Sequence, residues 1–441
     1  EMLDRLFGRS KKKNESEAAS AVVFGRYSDN NKSVAQTARW TDADNLFKEK
    51  KYFESLDAFF EYLKDDAEQN TLYERNDETG KFEIFQGSKI VKGMFNRDEL
   101  KAEVTLAGML QPSVPVMRRL LESNFSLYYS RFALDDGRLC MRFDSDTNTA
   151  SPSKLYYGLK ELATKADKQD DLLVQEFSSL QAVDNEHVAA IPLAEKEVKY
   201  RYFQSWIQQT LDTIASVDAD KFSGGNAYLL LALIFRIDFL IAPEGKLLSD
   251  LEKINGIYFK KDERQTIEKN QDMVDAFKKL QSLSKEDVMN SLIKSKHTFS
   301  IVSPQQYKVI ADSINGANTN MKWYVDNNYP FFATQINEYG ISYCQYSYSI
   351  PRVITEFFHL YMMINYADYF TDLGFGNPYF NAKEKRFSQQ AILDKIATIQ
   401  GRWREKFPLL EIKTQNLRFD NLINFNTSFT TELSLLNTEA K

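Results

Sequence analysis

The strongest constraint on the fold is an order of strand-like and helical sequence patterns that occurs twice in the chain. Residues 131–167 contain two strand-like runs that flank Asp135-Asp136-Gly137, followed by a long helical pattern that Pro152 opens. Because glycine tolerates a positive φ, Asp-Gly between two such runs predicts a β-hairpin, and proline is favoured in the first turn of a helix. Residues 333–368 show the same order of patterns about two hundred positions later.

The second occurrence leads to the predicted fold class. Its hairpin would turn near Gly340, its helix would begin after Pro351, and Cys140 and Cys344 would lie in matching strands. An antiparallel sheet with one polar face must cover its other face, and a long helix can do so. We therefore predict an α+β protein with two helix-covered antiparallel sheets, related by internal duplication and joined by a helical region. Because residue identity between the copies is low, coincidence between two ordinary α+β segments is the alternative.

The remaining patterns predict how the chain is divided. Four β-type runs between residues 71 and 109 indicate an antiparallel meander, and Gly224-Gly225 interrupts the helical patterns around it. The predicted parts are a flexible N-terminal tether at 1–38, an α+β domain at 39–190, a helical linker region at 191–260 and a second α+β domain at 261–441.

The first of these domains resembles a known family. Its order of helix, β-meander, helix, "FSLYYSRFALDDGRLCMRF" and "SPSKLYYGLKELATKADKQDD" is similar to the type III secretion chaperone-like fold, shared with the bacterial sensory-transduction regulators. The resemblance covers residues 40–186, and residues 264–370 would be a diverged second copy. It implies a small, non-enzymatic protein that binds extended segments of partner polypeptides, as a homodimer or, here, as a fused pseudo-dimer. It carries no site residues with it.

Composition excludes one class of partner. The chain has 56 basic and 62 acidic residues, and its formal net charge is −6. A nucleic-acid-binding face needs a concentrated positive stripe, so DNA or RNA binding is not expected. The two cysteines lie far apart without metal-ligand spacing, which favours a reducing compartment and a cytoplasmic protein.

Two segments bear on membrane contact. The apolar run Ala227–Ala242 is short and contains Arg236 and Asp238, so we predict a buried helix and no membrane span. Residues 2–13 place a few apolar side chains before three lysines. That pattern is compatible with docking to a membrane surface or with a frayed terminus.

No catalytic or cofactor motif stands out. The loop from Asp144 has oxygen-bearing side chains at alternate positions, but Thr149 and Leu155 replace the glycine and the acid of a calcium loop. His359 lies among core-type residues, and no nucleophile elbow, zinc motif or phosphate-binding loop occurs. We therefore expect no catalytic, metal or cofactor-binding residues and no cofactor.

The functional hypothesis is recognition of a protein partner in a chaperone- or scaffold-like role. Tyrosine and tryptophan combine contact area with a polar tip, which suits binding surfaces, although core packing would explain them equally well. The alternatives are an enzyme whose site is assembled from scattered residues and a membrane-surface adaptor that docks through residues 2–13. The candidate partner-binding residues are Trp323, Tyr324, Tyr343, Tyr346 and Tyr348, with the last three on a strand.

Overall fold

The computed structural model describes residues 22–183, 187–376 and 378–440. The chain divides into two compact units. Among the described residues, those within 27–190 and 293–301 form the sheet unit, and those within 22–26, 191–292 and 302–440 form the helical unit. The chain therefore enters the sheet unit twice.

The sheet unit is an antiparallel sheet covered by helices, as the sequence predicts for this part of the chain. Its strands follow the order β1-β2-β3-β4-β6-β5, and β7 pairs with β4. The helices are α1 (Val34–Lys48), α2 (Tyr52–Leu63), α3 (Val114–Asn124) and α4 (Pro152–Glu176). The strands are β1 (Thr71–Asn76), β2 (Thr79–Gln86), β3 (Lys89–Phe95), β4 (Glu99–Met109), β5 (Arg131–Asp135), β6 (Arg138–Asp146), β7 (Leu180–Ala182) and the short β8 (Ala189–Ala190).

Local sequence signals explain the hairpin and the covering helix. Asp136 and Gly137 both have positive φ, 46° and 71°, as the tight turn between β5 and β6 requires. The Ser151 side chain accepts a hydrogen bond from the Lys154 backbone N–H and so caps α4, which Pro152 begins. The predicted hairpin and helix are confirmed.

The helical unit contains a largely α-helical bundle around the more extensive hydrophobic core. Its helices up to residue 290 are α5 (Leu193–Ala215), α6 (Ser223–Arg236), α7 (Gly245–Phe259), α8 (Thr266–Gln281) and α9 (Lys285–Asn290). The later helices are α10 (Tyr307–Asp326), α11 (Pro330–Ser347), α12 (Arg352–Asn365), α13 (Ala367–Asp372), α14 (Gln389–Trp403) and α15 (Leu422–Ser434). Strand β9 (Ile293–Lys294) belongs to the sheet unit, and β10 (Phe380–Asn381) pairs with β11 (Arg386–Phe387) in the helical unit.

The predicted second hairpin is wrong. Residues 330–347 form the continuous helix α11, which places Cys344 in a helix instead of a strand. Gly340 is a helical residue at a close crossing with α10, since a Cβ there would lie 2.8 Å from the Cβ of Ala317. The glycine read as a turn signal therefore permits helix packing. Among the described residues, the second helix-covered sheet is not formed, and the order of elements behind the proposed duplication is lost.

Two predicted boundaries also differ from the structure. Helix α1 begins at Val34 behind a Ser33–Gln36 capping box, inside the segment predicted as a tether. Gly224 and Gly225 lie within α6, and residues 191–260, predicted to be a separate linker region, belong to the same unit as residues 302–440. Residues 2–13, predicted to dock to a membrane or to fray, lie outside the described residues.

The apolar run near residue 230 forms a helix, as predicted. Helix α6 continues into a π-helical turn, Ile237–Ile241. Among the described residues, only this helix, Ser223–Ile241, has the length and composition to cross a membrane, and 89% of its most apolar stretch is buried within the protein. A core helix has the same properties.

Candidate protein-binding surface

Helix α3 of the sheet unit has two apolar faces. Val116 and Leu120 are buried in the core of the sheet unit. On the opposite side Val114, Leu121 and Phe125 are exposed, at spacings that align along one stripe of a helix. An amphipathic helix needs only one apolar face to pack on its own domain, so the second one has no partner within the sheet unit.

The exposed stripe continues into the residues that flank α3. The α3 surface consists of Leu110, Val114, Leu121, Phe125 and Tyr128. Leu121 is 62% exposed, and Phe125 and Tyr128 are more than 90% exposed. A single exposed apolar side chain is ordinary, whereas several that follow one another along a helix and its end mark an interaction surface.

The backbone that presents Tyr128 is held firmly by one carboxylate. Glu161 of α4 accepts hydrogen bonds from the backbone N–H groups of Tyr128, Tyr129 and Ser130 at 2.8–2.9 Å, and from the Ser130 hydroxyl at 2.8 Å. Burial opposes ionisation of Glu161, but these hydrogen bonds outweigh it and hold its pKa below the usual value. The loop after α3 therefore presents its aromatic side chains from a defined backbone.

A cleft lies between α3 and α4. Its volume is about 280 Å³. Among its lining residues are Arg119, Ser123, Leu127, Phe132, Lys165 and Gln169. This volume is at the lower limit for a small-molecule pocket, and the lining combines apolar and polar groups. The cleft therefore suits one inserted side chain of a partner better than a cofactor.

The five residues predicted to bind a partner fall into two groups within the helical unit. Trp323 and Tyr324 lie in the last turn of α10, where the Trp323 ring stacks on Tyr329 with centroids 5.9 Å apart. Trp323 is 46% exposed, whereas Tyr324 packs against Phe332. Of these two residues, only Trp323 exposes enough of its ring to make a large contact with a partner.

The second group lies at the end of α11. Tyr343 and Tyr346 are helical, so the strand predicted for them is wrong, and Tyr348 follows the helix. The Tyr343 and Tyr348 hydroxyls are 3.4 Å apart, and the Arg26 guanidinium lies 3.9 Å from the centre of the buried Tyr346 ring. Packing accounts for Tyr346, and the partner-binding role of all five residues stays a prediction.

Burial keeps both cysteines and His359 in their uncharged forms at neutral pH. Burial raises the pKa of Cys140 to about 11 and that of Cys344 to about 12, so neither is a thiolate at neutral pH. Burial lowers the pKa of His359 to about 4, which keeps the ring neutral. Asp144, from the loop compared with a calcium site, pairs with Arg131. Within the described residues, no group of three or more His, Cys, Asp or Glu side chains could hold a metal ion.

The helical unit encloses a charged pair that sequence reasoning missed. The Arg236 Nε donates to a Glu338 oxygen at 2.9 Å, and the Tyr366 hydroxyl also donates to Glu338. Burial lowers the pKa of Arg236, but the adjacent Glu338 charge outweighs it, so the guanidinium stays protonated. Both charged residues are about 1% exposed. A site closed this completely lacks access for a substrate, and we assign it a structural role.

Comparison with known proteins adds no relative. The chain matches no model of a known protein family, and no curated protein is significantly similar to it in sequence.

Proposed function

We propose that the chain is a protein-binding protein without catalytic activity, chaperone- or scaffold-like, and that the α3 surface is where its partner docks. The observation that carries the proposal is the second, exposed apolar stripe of α3, formed by Val114, Leu121 and Phe125. This surface lies outside the residues that the sequence predicted. A single sequence shows that α3 has two apolar faces but not which of them the domain itself covers.

The spacing of the stripe favours a helical partner. Val114, Leu121 and Phe125 lie at i, i+7 and i+11, so they align along one side of the helix, as the side chains do by which amphipathic helices pack on one another. Burying a leucine or phenylalanine side chain contributes roughly 1.5–3 kcal/mol. Leu121 and Phe125 together therefore offer enough binding free energy to dominate an interface, and the adjoining cleft can accept one further side chain.

A second copy of the chain is one partner that this surface fits. The exposed Arg118 lies between Val114 and Leu121 on the same side of α3, and positions 114, 118, 121 and 125 are spaced by four, three and four residues, so their spacing is the same in both directions. Two antiparallel α3 helices around a two-fold axis would pack Val114 against Phe125 and place Arg118 beside Glu122 of the other copy. Self-association would thus place apolar side chains together at the two ends of the stripe and opposite charges near its centre.

The resemblance to the type III secretion chaperone-like fold is supported by the order of elements in the sheet unit. That order is helix, β-meander, α3, hairpin and α4. The buried, electrically neutral cysteines fit a reducing compartment, and we place the protein in the cytoplasm as part of the same proposal. Trp323, with its exposed ring, is the best candidate for an additional contact in the helical unit.

The test compares two full-length variants with the wild type. Leu121→Glu with Phe125→Glu places charges on the α3 surface, and Leu435→Glu places a charge at another site that is 67% exposed. Circular dichroism should show that all three are folded, because the substituted side chains are solvent-exposed. Sedimentation velocity over a concentration series then measures self-association, and affinity capture with each protein as bait measures binding of other proteins.

We expect the wild type and Leu435→Glu to form a dimer or to retain one stoichiometric partner, and the double variant to lose that complex. The proposal would be contradicted if the folded wild type is monomeric and captures only proteins that the double variant also captures.

A further inference from the structure

The sheet unit contains one segment that comes from far along the sequence. Residues 293–301 follow the first helices of the helical unit, yet they pack into the sheet unit. Ile293 and Lys294 pair with Ala190 and Ala189, and the Gly87 backbone N–H donates to the Lys296 carbonyl at 2.9 Å. The segment thus lies on the sheet unit in an extended form.

One buried side chain binds the backbone of this segment at three points. Gln86 is fully buried at the end of β2. Its Oε1 accepts from the backbone N–H groups of Thr298 and Phe299 at 3.2 and 3.0 Å, and its Nε2 donates to the Phe299 carbonyl at 3.2 Å. A side-chain amide carries both a donor and an acceptor, so it can replace a neighbouring strand for one stretch of backbone.

Two side chains of the segment occupy specific positions. The Thr298 hydroxyl donates to the carbonyls of Asn70 and Phe85, at 3.1 and 2.9 Å. Phe299 is fully buried among the core residues of the sheet unit, and its ring meets the Tyr156 ring edge-on with centroids 5.6 Å apart. The sheet unit therefore contacts the backbone of the segment, the Thr298 hydroxyl and the Phe299 ring.

The backbone pairing of the main sheet is complete without this segment. The strands β1 to β7 pair with one another, and the strand-like backbone pairing of residues 293–301 is limited to β8 with β9 and an isolated bridge at Gly87. Contacts of this kind, backbone hydrogen bonds with one aromatic anchor, are the means by which domains bind extended peptides.

We propose that this is a peptide-binding site whose built-in ligand is residues 293–301. Its ligand class is an extended polypeptide segment with a Thr-Phe pair, and such a segment from another polypeptide binds there when the built-in segment is displaced. The site shares no residue with the α3 surface, so either proposal can fail without the other.

The first experiment uses the full chain with Phe299→Ala, which removes the anchor of the built-in segment. The probe is a fluorescent peptide with the sequence of residues 291–303, and a second peptide carries alanine in place of its phenylalanine. Fluorescence anisotropy should show that the variant binds the native peptide at least tenfold more tightly than the alanine peptide. Adding Gln86→Ala should weaken that binding at least tenfold, and the wild type, whose site is filled, should bind neither peptide. Equal binding of both peptides, or none, by the folded variant would overturn the proposal.

A second measurement applies if the Phe299→Ala chain does not fold. Hydrogen exchange of the wild type reports how the segment opens, because the Thr298 and Phe299 amides are bound by the Gln86 side chain. A displaceable ligand predicts that these two amides exchange at least tenfold faster than the amides of β2 and β3. Exchange at the rate of those strands would show that the segment leaves only on global unfolding, which is incompatible with a binding site.

Discussion

His359 makes the stability of the helical unit depend on pH. Its Nε2 is buried and has no hydrogen-bond partner among the described residues, and its ring packs against Phe24 and Phe370 with centroids 4.8 and 5.4 Å away. Burial, and secondarily the charge of Lys395, lowers its pKa from 6.5 to about 4. Between these values the unfolded chain binds a proton that the folded chain does not. Stability due to this residue is therefore present above pH 6.5 and is lost as the pH falls toward 4.

The pKa difference sets the size of the effect. Lowering the pH from 7.5 to 5.0 should reduce the free energy of unfolding by about 2 kcal/mol through His359. His359→Phe keeps an aromatic ring and removes the titration. The assay is urea unfolding followed by tryptophan fluorescence at both pH values, since Trp206, Trp323 and Trp403 all lie in the helical unit.

Comparison of wild type and variant isolates this one residue, because all other titrating groups are common to both. We expect the wild type to lose about 2 kcal/mol more than His359→Phe between the two pH values. An equal loss in the two proteins would refute the reasoning, since it would mean that His359 is protonated equally in the folded and unfolded chains.

Three further substitutions test the packing and the polar framework. Arg236→Met should lower the free energy of unfolding by about 3–5 kcal/mol because it leaves the buried Glu338 without a counter-charge, and urea titration measures this. Gly340→Ala should cost about 1–3 kcal/mol, since its Cβ would lie 2.8 Å from a neighbouring Cβ, and the thermal midpoint reports it. Glu161→Ala should leave the fold intact but release the loop after α3, so that the amides of residues 128–130 exchange faster with solvent.

Controls for these three use sites of matched chemistry. Arg402→Met removes an exposed partner of Glu356 and should cost less than about 1 kcal/mol; a similar loss to that of Arg236→Met would contradict the argument from burial. Gly376→Ala has open space around its Cβ, so it should be neutral where Gly340→Ala is not. Unchanged exchange at residues 128–130 in Glu161→Ala would show that the carboxylate does not hold the loop.

Much of the sheet unit could be predicted because its signals are local. The Asp136-Gly137 turn and the Ser151-Pro152 helix start act within a few residues, and the structure has both. The hairpin predicted around Gly340 is wrong because tyrosines and a glycine favour strand and turn locally, whereas packing of α11 on α10 through Gly340 overrides that preference. Tertiary contacts of this kind are not encoded in a short window of sequence.

The candidate surfaces show the same limit. The sequence indicates that α3 is amphipathic, but the exposure of Leu121 and Phe125 depends on which face of the helix the rest of the domain covers. The hydrogen bonds between the Gln86 side chain and the Phe299 backbone join residues more than two hundred positions apart, and no local sequence pattern predicts them. The prediction that the aromatic residues around Tyr346 bind a partner rests on residue type, which does not distinguish a buried ring from an exposed one.

The late return of residues 293–301 has a consequence for protein synthesis. Once residues 27–190 have been translated, every strand of the main sheet has been made. The position in the core that Phe299 occupies in the folded protein is then still vacant. At the usual speed of translation, on the order of 5–20 s pass before the missing segment is made. During that interval the nascent chain exposes the apolar site that Phe299 later covers. A chaperone or another peptide can bind there until residues 293–301 have been made.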